Sequence, residues 1–237
     1  SDSKKVNISK GVDNVLLSAV NFYGPDVTSN DVYDFYSQVK SPNPLKPLSH
    51  GLNSRLVKED GVLVEKVYKS GGLYGDAIDE IIKWLELAHG VSENKPQADA
   101  LSLLSSYYKT GDLQTWDDYN VAWTSATEGN IDYINSFIEV YNDPLGYRGS
   151  YESIVQIKDF DMSAKMAVLS ENAQWFEDNS PLIETHKKKN VVGVSYKTVN
   201  VAGEAGDASP STPIGVNLPN ANWIRASVGS KSVSLGN

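Results

Sequence analysis

The sequence predicts an α+β fold, predominantly helical, with helices packed against a small β-hairpin and barrel sheet. Three features carry that expectation. Apolar residues recur at helical spacing through much of residues 12–179, Asp60-Gly61 separates two β-prone runs, and Val, Tyr and Thr become frequent after Pro181.

Composition narrows the functional classes. The 237 residues carry 21 Lys+Arg against 30 Asp+Glu, a net charge of −9, which argues against a protein that tracks nucleic-acid phosphates. Hydrophobic residues make up 40% and charged residues 22%, an ordinary globular balance. No run approaches the ~20 apolar residues of a membrane span, so a soluble chain without membrane contact is expected. The absence of cysteine excludes a thiolate nucleophile and a disulfide framework. His50, His89 and His186 are widely separated, in no zinc-ligand spacing.

Each element has a local reason. Val12, Val15, Leu16, Ala19 and Val20 suggest a first helix, stopped by Gly24-Pro25. Thr28 and Asp31 form a capping-box pattern for a second, whose face carries Val32, Phe35, Tyr36 and Val39. Residues 41–49, with three prolines, read as a loop. Leu52–Lys58 and Val62–Tyr68 flank Asp60-Gly61, which predicts a hairpin, closed by Gly71-Gly72. Ile78, Ile81, Ile82, Leu85 and Ala88 make an amphipathic stripe ending at Gly90 as a C′ residue. Helices follow over 97–109, stopped by Gly111, and over 113–126, where Trp116, Tyr119 and Trp123 read as core.

Ile131, Ile134, Ile138 and Tyr141 share a helical stripe, broken by Asp143-Pro144-Leu145-Gly146. Residues 150–157 and 161–179 read as helical again. Val191–Ala202 predicts a strand or a bulged pair, residues 203–213 are small and flexible, and 214–220 run extended into a turn. Lys231–Leu235 predicts a last strand. The chain thus divides into a helical region 1–157 with its hairpin near 52–68, a helical segment 158–190, and a β-rich segment 191–237.

Three blocks carry a family resemblance. They are Phe137-Ile138-Glu139-Val140-Tyr141 leading through Asp143-Pro144-Leu145-Gly146 to Arg148-Gly149, then Met162-Ser163-Ala164-Lys165, then Gly215-Val216-Asn217-Leu218-Pro219-Asn220 with Ser232-Val233-Ser234-Leu235-Gly236-Asn237. Gly51-Leu52-Asn53-Ser54-Arg55-Leu56 adds a weaker fourth. In order and spacing they resemble the dipeptidyl peptidase III family of zinc metallopeptidases, with the bacterial members nearest. That family's H-E-x-x-x-H motif and downstream glutamate ligand lie C-terminal to these blocks, and the sequence stops at Asn237. The resemblance therefore implies a fragment, inactive alone, whose full-length parent holds zinc while this chain binds none.

The resemblance implies more. The parent is two-lobed, and this chain supplies most of the lower lobe, with 158–190 projecting toward the missing upper lobe and 191–237 carrying a substrate-binding turn. An enzyme that counts two residues from a free amino terminus needs an anchor for an ammonium group, which a carboxylate and amide oxygens supply. Glu139, Asn217 and Asn220 match the family positions that bind the substrate's amino terminus. Tyr141 matches the tyrosine that stabilises the tetrahedral intermediate, through a phenol donating to the oxyanion. On a helix Glu139 and Tyr141 would project about 200° apart; sharing one pocket needs an extended segment beyond Ile138, the favoured reading here.

The implied partners are short peptides with a free amino terminus and the missing C-terminal zinc lobe, with a dimer as an option for the isolated fragment. The family is largely cytoplasmic, and export is also compatible with it. The rival reading is a non-catalytic peptide-binding or interaction module. Without the resemblance, Tyr141 would be a core aromatic, Glu139 a solvated carboxylate, and both asparagines turn residues.

Overall fold

A computed structural model describes residues 5–191, 197–209 and 215–234. The first anticipated helix does not form. Residues 12–20 make a single turn, with Val15 buried and Val12 and Leu16 exposed. The Asp13 carboxylate accepts from the backbone N–H of Val15, Leu16 and Ser29, so local side-chain bonding competes with the helical ladder.

Helix α1 (Ser29–Ser37) starts at the expected capping box: Thr28 Oγ1 accepts from Asp31 N–H at 3.1 Å, and the Asp31 carboxylate accepts from Thr28 N–H at 2.8 Å. Lys58 Nζ donates to the same carboxylate at 2.7 Å, joining α1 to the hairpin. Strands β1 (Ser54–Glu59) and β2 (Val62–Val67) pair antiparallel with Glu59 opposite Val62. Asp60 and Gly61 take φ of 51° and 80°, the left-handed pair that a two-residue hairpin turn requires.

The Lys58 hydrogen bond, with those from Thr28, holds the Asp31 carboxyl down at about 2. A depressed carboxyl stabilises the fold above its unfolded pKa of about 4 and loses that contribution as pH falls through its folded value. The stability difference between the native sequence and Asp31→Asn should therefore be constant above about pH 5 and shrink toward pH 2. Urea denaturation across that range checks it; a pH-independent difference would refute the assignment.

Helices α2 (Gly75–Gly90), α3 (Lys95–Thr110) and α4 (Leu113–Ser125) pack consecutively. Gly90 lies inside α2 rather than beyond it, and Val91 is the C-cap. Asn94 and Asp112 cap α3 and α4 through their side chains, and Gly111 ends α3 at φ 72°. Ile78, Leu104, Tyr107, Tyr108, Trp116, Tyr119 and Trp123 form the main core between these helices and the sheet.

Residues 131–141 and 150–157 are not helical. They form β3 (Ile131–Glu139) and β4 (Ser150–Lys158), which join β5 (Val199–Gly206) in an antiparallel sheet of order β3-β4-β5. Ile134 pairs with Ile154 and Ser136 with Glu152, all four buried on one face. Tyr133, Asn135 and Phe137 pair with Val155, Ser153 and Tyr151 on the other. β5 reaches four residues past Ala202, so 203–206 are strand rather than a flexible linker; positions 192–196 and 210–214 of the anticipated β-rich stretch lie outside the described residues.

The anticipated 161–179 helix is two, α5 (Phe160–Glu171) and α6 (Ala173–Asp178), meeting at Asn172. Strands β6 (Gly215–Leu218) and β7 (Lys231–Ser234) pair around the short helix α7 (Asn222–Ser227). No helix among the described residues is long and apolar enough to cross a membrane.

Candidate functional site

A cleft of about 510 Å3 opens between the loop before β1, helix α4, the end of β3 and the turn after β6. Its shape begins with an irregularity in β3. The register shifts between Phe137 and Glu139, so Ile138 is an extra residue without an opposite number on β4. Before the bulge Phe137 faces away from the cleft; after it Ile138, Glu139, Val140 and Tyr141 all border it. Opposite the bulge stands Gly149, where a Cβ would lie 2.8 Å from the Phe137 carbonyl carbon and 3.0 Å from Ile138 N. Only glycine allows the two strands to approach this closely there.

The chain then turns, with Asp143 N–H donating to Val140 O at 3.0 Å. The Asp143 carboxylate fixes the turn's exit, accepting from the N–H of Leu145, Tyr147 and Arg148 and from Tyr23 Oη at 2.8 Å. Arg148, fully buried, donates from Nη1 to Gly51 O at 2.9 Å and pairs with Glu65 Oε1 at 3.2 Å. This ties the cleft-lining loop at His50 and Leu52 to the segment bearing Tyr147, whose ring stacks on Tyr36 at 4.7 Å.

On the far side, Lys231 anchors the β6–β7 arm. Its Nζ pairs with Asp132 at 2.8 Å, donates to Ala126 O at 2.9 Å, and lies 4.4 Å from the Trp123 ring centroid. The arm thereby delivers Leu218, Pro219 and Asn220 to the cleft wall; the Leu218–Pro219 peptide is cis.

Of the four residues named from sequence, Glu139, Tyr141 and Asn220 border one cleft. Asn217 is not among its lining residues. Neighbouring strand residues face opposite sides, so where Leu218 turns inward Asn217 stands exposed. The extended segment expected beyond Ile138 does not continue: the strand ends at Glu139 and Tyr141 opens a turn, and the bulge at Ile138 is what leaves both residues at the cleft.

The electrostatics suit a hydrogen-bond donor at Tyr141. The nearby Glu139 charge raises the pKa of this 79% exposed phenol, so it stays protonated at neutral pH. Behind Glu139, burial and then the charges of Glu139 and Asp207 push the Glu152 carboxyl up to about 7, and its Oε1 lacks a partner among the described residues.

Sequence reasoning missed Asp117, Asn120 and His50, which also line the cleft. In the sequence, the aromatic stripe Trp116, Tyr119 and Trp123 dominates α4 and masks its polar positions. Yet Asp117, Asn120 and Thr124, all buried, recur at spacings of three and four along α4, one helical face. That spacing was the available signal. Among the described residues no group of three His, Asp or Glu side chains could hold a metal.

The fold is an α+β lobe with an open cleft, and the comparisons with known proteins give the family. The model for peptidase family M49 matches residues 50–237. The chain belongs to that family. Dipeptidyl peptidase 3 of Nematostella vectensis is 30% identical over 166 residues, 70% of this chain and 22% of its own length. The human dipeptidyl peptidase 3 is 28% identical over the same span. In fold, the chain is similar to DPP III from Caldithrix abyssi, with a TM-score of 0.71 at 24% identity over 91% of this chain and 40% of that one. DPP III from Corallococcus sp. strain EGB gives 0.66 at 20% identity, covering 90% and 39%. The resemblance to the dipeptidyl peptidase III family and the α+β lobe it implied are both borne out, and the chain spans about a fifth of the curated relatives it matches.

Proposed function

We propose that this chain is the substrate-binding part of a zinc-dependent dipeptidyl peptidase that releases dipeptides from the free amino terminus of short peptides. The supporting observation is the convergence of Glu139, Tyr141 and Asn220 on one cleft between the end of β3 and helix α4. The Glu139 carboxylate accepts the substrate's ammonium, the Asn220 amide oxygen adds a second acceptor, and Tyr141 donates to the carbonyl oxygen as it gains charge. Asn217, exposed on β6 next to the cleft-lining Leu218, would contact the same peptide outside this cleft. The zinc and the general base come from residues outside this chain, which is inactive by itself.

The segment 158–190 meets the rest of the longer protein. Its exposed Phe160, Val168, Trp175, Phe176 and Ile183 favour that reading, and they would give the isolated chain a face for dimerisation. For location, this reading favours the cytoplasm, with export as the alternative compatible with the family.

The test uses the full-length protein and two peptides that differ only in N-terminal acetylation. The free peptide should lose its dipeptide and the acetylated one should not. Glu139→Gln should lower kcat/KM for the free peptide about ten- to a hundredfold, the value of a charged hydrogen bond. Equal cleavage of both peptides would overturn the ammonium anchor. Binding of the free peptide without cleavage would favour the second reading, a peptide-binding module.

A further inference from the structure

A second cavity, of about 690 Å3, opens on the face of the β3–β4 sheet turned away from the first cleft. Its walls are the segment 19–22, the first turns of α2, and the sheet residues Phe137 and Tyr151. A space of this size encloses a small molecule. The peptidase reading makes no use of it.

Four aromatic rings run along the cavity in one row. The Tyr74 centroid lies 5.3 Å from that of Tyr68, Tyr68 lies 4.7 Å from Phe137, and Phe137 lies 5.7 Å from Tyr151. The first of these rings is held at a cost to the backbone. Tyr74 takes φ 63° and ψ 23° at the start of α2, a left-handed conformation unfavourable to any residue with a Cβ, and it gives the helix no side-chain cap. Such strain persists where it sets the direction of a side chain, and here it leaves the ring half-exposed over the cavity, beside Tyr68.

The polar groups define the ligand's chemistry. Tyr68 is 4% exposed, and its hydroxyl has no hydrogen-bond partner among the described residues. Burial raises its pKa, so the hydroxyl keeps its proton at neutral pH and is available as a donor. The charged residues of the wall are Lys5 and Asp207, both exposed and of opposite sign, and Asp207 already accepts from Asn142. No net charge therefore offsets the desolvation of an ion. A flat aromatic molecule can lie along the row of rings, and a carbonyl on it can accept from Tyr68.

We propose that this cavity is a binding site for an uncharged aromatic small molecule bearing a carbonyl, which packs on the row from Tyr74 to Tyr151 and accepts a hydrogen bond from the Tyr68 hydroxyl. The site lies behind β3, apart from the peptide cleft, and does not depend on how that cleft is used.

The experiment titrates the full-length protein with the dye prodan, an uncharged naphthalene ketone whose emission moves to shorter wavelength in an apolar site. Binding should saturate with a Kd below about 100 μM. Ala77→Trp and Ala19→Trp each put a ring into the cavity from a different wall, at positions exposed to solvent. Either should raise the Kd at least about tenfold, so one folded variant is enough. Tyr68→Phe should raise it about three- to tenfold and move the bound emission to still shorter wavelength, because the carbonyl has lost its donor. Acetylnaphthalene should displace the dye, whereas naphthoate, the same rings with a carboxylate, should need a concentration about tenfold higher. Weaker or unsaturable binding overturns the proposal. So does a Kd unchanged by the tryptophan variants, which would put the dye elsewhere on the protein. An unchanged Kd in Tyr68→Phe, or equal displacement by the ketone and the carboxylate, overturns the assigned ligand class.

Discussion

Arg148→Ala should lower the unfolding free energy by about 3–5 kcal/mol, the cost of breaking a buried ion pair from one side. The guanidinium is fully buried, packed against Tyr23 and Tyr36 with ring centroids 5.3 and 5.1 Å from Cζ, and donates to Gly51 O, Ser54 Oγ and Glu65. Burial alone would raise the Glu65 carboxyl, but hydrogen bonds from Tyr36 and Ser54 and the charge of Arg148 hold it below its usual range. In the native sequence Glu65 therefore contributes stability above its unfolded pKa of about 4.3, lost as pH falls through the folded value. Without Arg148 the carboxylate keeps the bonds from Tyr36 and Ser54 but loses the guanidinium, so its pKa rises and the deficit of the variant relative to the native protein should shrink as pH falls toward 5. Urea denaturation at pH 7 and pH 5 checks both statements, and a loss under about 1 kcal/mol would show the pair to be dispensable. Arg148→Met with Glu65→Leu should recover most of the loss, since both charges leave together. The effect reaches the cleft, because Arg148 holds the Gly51 carbonyl beside the Tyr36–Tyr147 stack.

How far the sequence revealed this arrangement depended on how local each determinant is. The hairpin and the starts of α1, α3 and α4 are written in adjacent residues, namely Asp60-Gly61, Thr28 with Asp31, Asn94 and Asp112. The strands β3 and β4 are not. Ile131, Ile134 and Ile138 fit a helical stripe as well as a strand, and because Phe137 and Tyr133 also pack against the core, neither face shows the polar alternation that would separate the two. Only the pairing with β4, set by contacts distant in sequence, decides it. At 12–20 the spacing favours a helix, and the bonds that the Asp13 carboxylate accepts from Ser29, sixteen residues away, outweigh it.

The site divides along the same line. Glu139, Tyr141 and Asn220 were recognisable through family blocks, whereas the bulge that aims the first two depends on Gly149 across the sheet. Asp117 shares a helical spacing with Asn120 and Thr124, but that spacing alone does not say which way the face points. An aspartate on an amphipathic helix reads as solvent-facing, and only the packing of α4 beneath the cleft buries it.

Tyr141→Phe in the full-length protein should lower kcat about a hundred- to a thousandfold with little change in KM, the signature of a donor that acts on developing charge. The phenol's position supports that division. It is exposed at the rim of the cleft, so removing its hydroxyl disturbs no packing, and the raised pKa keeps its proton in place through neutral pH. A ground-state carbonyl gains little from one more donor in water, but an oxyanion gains the full value of a charged hydrogen bond. Stability provides the control: Tyr141→Phe should unfold within about 0.5 kcal/mol of the native protein, as surface substitutions do. A loss of kcat with unchanged stability would place Tyr141 on the reacting carbonyl. A rise in KM with kcat intact would instead make it a uniform binding contact and shift the oxyanion's stabilisation to groups outside this chain. Indifference in both constants would leave Tyr141 without a role in turnover and favour the reading of the cleft as a site for binding alone.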